Sequence, residues 1–213
     1  MATGAERGGA AGEDFARLRA IAEEGRQRPL LGGGSLLIWG LAIAVANLFN
    51  WAVVARLLSL PGWTISLGWF AIMGGAALIA GRSQAREASK GDALSTGNRV
   101  SHAVWVMGGA FLATLALGLF AFASWAARNG DGDAWLLFSV MPPVVFGVYG
   151  IALAATAVAG DAPWLRAYAW AAFAFTIATA ILIGQAEQLL LAAVGAVAVS
   201  VLPGLRLRAQ TRG

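Results

Sequence analysis

Six apolar stretches, each long enough to cross a bilayer as a helix, take up most of this chain and leave it few folds to adopt. About 20 residues, rising about 1.5 Å each, cross about 30 Å of hydrocarbon. The stretches run from about Ser35 to Val54, Trp63 to Ala80, His102 to Trp125, Ala134 to Val158, Leu165 to Ile183 and Ala186 to about Leu205. The first three hold no internal Asp, Glu, Lys or Arg. Composition agrees: 12% of the 213 residues are charged and 59% are apolar, whereas a soluble domain carries about 25% charged residues. One aqueous core cannot bury that much apolar surface, so lipid has to solvate much of it. The expected fold class is all-α, a polytopic membrane helical bundle of six transmembrane helices over 32–205. A cytoplasmic N-terminal segment, 1–31, and a cytoplasmic tail, 206–213, flank it.

Gly184, Gln185, Glu187 and Gln188 interrupt the last apolar run, which is too long for one crossing, and predict a tight helical hairpin there. Pro142 and Pro143 remove backbone donors and predict a kink about two turns into the fourth span, with neighbours satisfying the freed carbonyls. Orientation follows from Lys and Arg in the connections. Arg7, Arg17, Arg19, Arg26, Arg28, Arg82, Arg86, Lys90, Arg99, Arg166, Arg206, Arg208 and Arg212 fall on one side, thirteen of the 15. Only Arg56 and Arg128 fall on the other, so both termini are expected in the cytoplasm. Trp63, Trp125, Trp135 and Trp164 stand at span ends, where an amphipathic ring suits the headgroup region.

Mixed charge ahead of the first apolar run, including Glu13, Asp14, Glu23 and Glu24, argues against a cleaved secretory signal. From Asp14 to Glu24, Phe15, Leu18 and Ile21 recur at helical spacing, and Gly25 and Pro29 close a short amphipathic helix, 14–24. Such a helix is marginal alone in water and needs a surface to lean on. Its acidic residues offset Arg17 and Arg19, which weakens attraction to anionic lipid and favours a protein contact through Phe15, Leu18 and Ile21.

Chemistry is scarce. The chain has no cysteine, which excludes Cys-based metal sites, and one histidine, His102, so a zinc site or a His-paired nucleophile would need unusual partners; no metal, cofactor or enzymatic activity is expected. No Gly-Lys-Ser/Thr follows the glycine pairs, which read as helix packing, as do Gly150 with Ala154 and Ala71 with Gly75 at small-xxx-small spacing. No ionisable group lies deep in a span, which argues against a proton-coupled carrier. The basic balance is read as membrane orientation, and no direct nucleic-acid binding is expected. One polar constellation stands out. Asn47, Asn50, Ser139, Thr176 and Thr179 fall in the outer half of their spans, with Gln185, Glu187 and Gln188 at the rim. They either line a small outward pocket or hydrogen-bond between helices around the proline kink, and the second reading is favoured.

Three strings, Ala22-Glu23-Glu24-Gly25-Arg26 running to Pro29-Leu30-Leu31-Gly32, Ser95-Thr96-Gly97-Asn98-Arg99-Val100, and Ala159-Gly160-Asp161-Ala162-Pro163-Trp164-Leu165-Arg166, resemble a family of uncharacterised six-span bacterial inner-membrane proteins. The likeness covers most of the chain and includes no catalytic motif. It implies a location in the bacterial cytoplasmic membrane and, because similar proteins accompany a small winged-helix transcriptional regulator, a cytoplasmic protein partner of that kind. The expected function is a non-enzymatic regulatory or partner-binding membrane component. The alternative is a small uncoupled transporter or channel using the polar cluster.

Overall fold

Hydrocarbon offers no water to backbone N–H and C=O groups, so an apolar run is stable there only when its own helix satisfies them. The computed structural model, which describes residue 30 and residues 32–88, 95–130 and 132–210, is helical in all its regular structure. The helices are α1 (Gly33–Val54), α2 (Trp63–Ala88), α3 (Thr96–Arg128), α4 (Met141–Ala159), α5 (Leu165–Ile181) and α6 (Ala186–Gln210). A 3-10 segment, Gly132–Val140, leads into α4, and a π turn, Val197–Val201, sits inside α6. Five helices are long and apolar enough to cross a membrane, and α5, at Leu165–Ile181, is shorter. The expected amphipathic helix at 14–24, with Phe15, Leu18 and Ile21, lies outside the described residues.

Several helices outrun the apolar windows that announce them. α2 continues to Ala88, α3 begins at Thr96 and ends at Arg128, and α6 runs to Gln210, beyond the expected end near Leu205. Hydropathy marks where lipid begins, whereas backbone hydrogen bonding carries on through polar helix formers such as Arg82, Gln84 and Arg206. Ser95 sets the start of α3, its hydroxyl accepting from the Asn98 N–H at 3.3 Å.

The prolines act differently from the expectation. Pro142 and Pro143 do not kink a helix already under way; they occupy its first turn, where α4 takes over from the 3-10 segment. A first-turn N–H has no partner within the α-helix, so proline costs α4 no bond of its own and its fixed φ suits the helix, while the Ser139 carbonyl in the preceding 3-10 segment is left without that donor.

Small residues decide which helices touch. α1 and α6 run antiparallel: a Cβ on Gly33 would lie 2.9 Å from the Gly204 carbonyl oxygen, and one on Gly40 would lie 2.7 Å from Ser200 Cβ. Gly33 and the C-terminal part of α6 therefore share one end of the bundle. Gly150 lets α4 lie against α5, since a Cβ there would fall 2.4 Å from the Phe173 ring. The Ala71 and Gly75 pair does not act this way, because nothing lies within 4 Å of a Cβ placed on Gly74 or Gly75. Leu36, Phe146, Leu153, Leu165 and Val199 fill the centre between α1, α4, α5 and α6. α2 packs on α1, and α3 on α4 and the 3-10 segment. The buried residues of α3, Asn98, Ser101, Ala123 and Ala126, lie near its two ends, and Met107, Phe111 and Leu117 between them face outward.

The connection after α1 is built tightly. Arg56 N–H donates to the Val53 carbonyl at 3.1 Å and Leu57 N–H to the Ala52 carbonyl at 2.9 Å, the paired bonds of a Schellman motif. Arg56 holds its left-handed position at φ 58. Glycine usually stands there, because an L-residue in that region costs about 1 to 2 kcal/mol.

Candidate functional site

Of the polar constellation expected from sequence, the structure brings Ser139 and Thr179 together, around Gln188, a residue the sequence places at the rim. Gln188, in the first turn of α6, is 2% exposed and lies at the centre. Its Nε2 donates to the Ser139 carbonyl at 2.6 Å and to the Thr179 carbonyl at 2.9 Å. Both acceptors are orphans of helix construction. Pro143 has no N–H to offer the carbonyl four residues back, which is that of Ser139. Thr179 lies in the last turn of α5, where carbonyls have no intrahelical donor. One side chain thus ties the 3-10 segment, α5 and α6 together by closing the gaps that proline and helix termination leave. The neighbouring hairpin is sharp because Gly184 adopts φ 82, with Gln185 N–H donating to the Leu182 carbonyl at 3.0 Å.

The hydroxyls of the constellation are occupied locally. Ser139 Oγ donates to the Leu136 carbonyl. Thr176 Oγ1 donates to the Ala172 carbonyl at 3.2 Å, and Thr179 Oγ1 to the Phe175 carbonyl at 2.6 Å. Such back-bonding satisfies a hydroxyl inside hydrocarbon without any other helix. The structure therefore joins Ser139 and Thr179 through Gln188, and leaves Thr176 bonded to its own helix.

The asparagines form a separate pair. Asn47 and Asn50 are each 4% exposed, on the face of α1 that also carries Leu36 and Gly40 toward α6. Neither faces lipid, and neither hydrogen-bonds the segment around Pro142 and Pro143. Asn47 Nδ2 returns to the Ile43 carbonyl at 2.8 Å. Asn50 Oδ1 is buried with no hydrogen-bond partner.

A second polar group, which the sequence reading missed, lies toward the other end of the bundle. Thr156 Oγ1 lies 3.1 Å from Ser101 Oγ and accepts from Trp105 Nε1 at 3.2 Å, joining α3 to α4. The Trp105 ring meets Tyr149 edge-on at 5.0 Å. On α6, Ser200 Oγ donates to the Leu36 carbonyl at 2.7 Å. The available signal was a Ser and a Trp at i,i+4, Ser101 and Trp105, on one face of α3. Of the tryptophans expected at span ends, Trp63 and Trp125 are exposed, the Trp135 side chain lies outside what the structure describes, and Trp164 is half-buried beneath Arg206, whose guanidinium carbon lies 4.3 Å from its ring centre. His102 is exposed, and no group of three His, Cys, Asp or Glu side chains among the described residues is placed to hold a metal ion.

Chemically, then, the polar groups can hold helices together, and one buried amide oxygen stands ready to accept a hydrogen bond. Comparison of the chain with protein-family models, with curated proteins and with solved structures finds no match in any of the three.

Proposed function

We propose that this chain is a six-span protein of the bacterial cytoplasmic membrane, with both terminal helices ending on the cytoplasmic side, and that it serves as a non-enzymatic component engaging a cytoplasmic protein. The observation that carries this reading is where polar chemistry sits. Inside the bundle, Gln188 and the hydroxyls of Ser139, Thr176 and Thr179 donate to backbone carbonyls, so these groups serve helix packing and are not free to line a path for a solute. Charge instead collects at the end that holds Gly33 and Gln210, through Arg82, Arg99, Arg166, Arg206 and Arg208, against Arg56 and Arg128 at the other. Short basic connections of that kind face the cytoplasm.

The sixth crossing depends on α5. At 17 residues it rises about 26 Å, and the turn residues at its two ends carry it the remaining distance. It also lies along α4, itself long and apolar enough to cross when the residues from Leu136 are included. The resemblance to six-span inner-membrane proteins adds a transcriptional regulator as the class of partner, with Phe15, Leu18 and Ile21 as its contact.

Two experiments test the reading. Single cysteines at Gln210 and Asn129, in this cysteine-free chain, should label from the cytoplasmic and the outer side respectively, and the reverse pattern would overturn the orientation. A pull-down from native membranes should recover a cytoplasmic protein with the full chain and lose it when residues 1–24 are deleted. Unchanged recovery would remove the N-terminal helix from the proposal. An uncoupled transporter or channel is the second reading, and the unpartnered Asn50 Oδ1 is the feature in its favour. A solute-uptake defect in a normally folded Asn50→Leu variant would select it.

A further inference from the structure

The α1–α2 connection borders an open groove of about 510 Å³ lined by Val53, Val54, Arg56, Leu58, Ser59, Leu60, Gly62 and Ile65, all of them exposed except Val53 and Ile65. Its lining is apolar apart from Ser59 and one cation. Arg56 has no ion pair among the described residues, and the backbone amides of 56, 57 and 58 all bond inward to α1 carbonyls, so the wall is preformed. Gly62 adjoins the N-terminus of α2, a 26-residue helix whose positive end favours an anion. Around the rim, Leu57, Leu60, Trp63 and Leu67 are exposed. A tryptophan at a span end places this rim in the headgroup region, where lipid phosphates lie.

Arg56 is the informative residue. It sits at φ 58 in the helix-terminating position that glycine occupies without strain, so the fold does not call for a side chain there. Burial does not call for it either, because it is exposed. A bulky cation held in a strained backbone state, with no ion pair among the described residues and beside an open apolar groove, fits a ligand better than it fits the scaffold.

We propose that this groove binds a phosphate oxyanion carried on an acyl chain, the headgroup of an anionic phospholipid. The Arg56 guanidinium and the Ser59 hydroxyl take the phosphate oxygens, and Val54, Leu58, Leu60 and Ile65 take the first methylenes of the chain. The proposal rests on the chain spanning a membrane and is indifferent to which leaflet the connection faces. A chain that stays soluble and monodisperse without detergent would remove that premise independently of the result below.

The test uses the full chain purified in a neutral detergent, with phosphatidylglycerol, phosphatidylcholine and inorganic phosphate as separate probes. Lipid adducts are counted by native mass spectrometry, and unfolding is followed by tryptophan fluorescence. The wild type should retain phosphatidylglycerol in preference to phosphatidylcholine and should melt at a higher temperature in its presence. Arg56→Gly relieves the backbone, so it should melt no lower than the wild type in detergent alone while losing roughly tenfold or more in phosphatidylglycerol affinity, the scale of lost charge-assisted hydrogen bonds. Arg56→Gln, which keeps a long side chain, should lose the preference too, and Arg56→Lys should keep part of it. Inorganic phosphate giving the same Arg56-dependent shift at equal concentration would make a free anion the occupant and overturn the lipid assignment. Equal retention of the two lipids by the wild type, or a preference that survives in Arg56→Gly and Arg56→Gln, would overturn the site itself.

Discussion

Gln188→Leu removes the two bonds that join the 3-10 segment, α5 and α6 while keeping a side chain of similar size. Hydrogen bonds between helices inside a membrane average about 0.6 kcal/mol and reach about 1.7 kcal/mol. Two of them, to Ser139 at 2.6 Å and Thr179 at 2.9 Å, put the expected loss at about 1 to 3 kcal/mol. Gln188→Glu should cost more, since an ionised carboxylate would face two carbonyl oxygens with nothing to donate. The assay is reversible unfolding of the detergent-solubilised chain by dodecyl sulfate titration, read by tryptophan fluorescence. A double-mutant cycle isolates the cause: Pro143→Ala restores an N–H that can reach the Ser139 carbonyl, so Gln188→Leu should cost less by about one such bond in that background. The reasoning fails if Gln188→Leu stays within about 0.5 kcal/mol of wild type, the range of an ordinary surface substitution, or if the two substitutions are additive.

Asn50→Leu removes no hydrogen bond and replaces a buried, unpartnered amide oxygen, so in the same titration it should be neutral or stabilising, by up to about 2 kcal/mol. Gly150→Ala forces a methyl against the Phe173 ring, 2.4 Å from the new Cβ, and should lower stability by about 1 to 3 kcal/mol. Gly75→Ala meets open space and should raise it, by up to about 1 kcal/mol from helix propensity. Arg206→Gln loses the stacking on Trp164 and should cost about 0.5 to 1 kcal/mol, seen as a small shift in the unfolding midpoint together with greater quenching of Trp164 by aqueous iodide.

The sequence by itself determined the helices. Apolar runs near 20 residues have one stable backbone arrangement in hydrocarbon, so the presence of a helix at each run, its approximate bounds and the break at Gly184 were legible without any knowledge of neighbours, though only five of these helices are long and apolar enough to cross. It also showed that Pro142, Pro143, Ser139 and Thr179 would share a depth, because rise per residue is fixed. It could not show which residue would answer the orphan carbonyls. Gln188 looked like a rim residue beside Glu187 and became the centre only because α6 enters with that face turned inward between α5 and the 3-10 segment. The same limit holds for glycine. Gly75 and Gly150 have the same small-xxx-small spacing, yet Gly150 lies under Phe173 and Gly75 faces open space, since spacing places two residues on one face and says nothing of whether another helix arrives there. Arg56 is the clearest case. Composition counts it as one charge outside the membrane, but its left-handed backbone and the open groove beside it exist only after α1 has ended and the chain has turned into α2. Backbone satisfaction is local and can be read along the chain, whereas side-chain satisfaction depends on which surfaces meet, and only the packed bundle decides that.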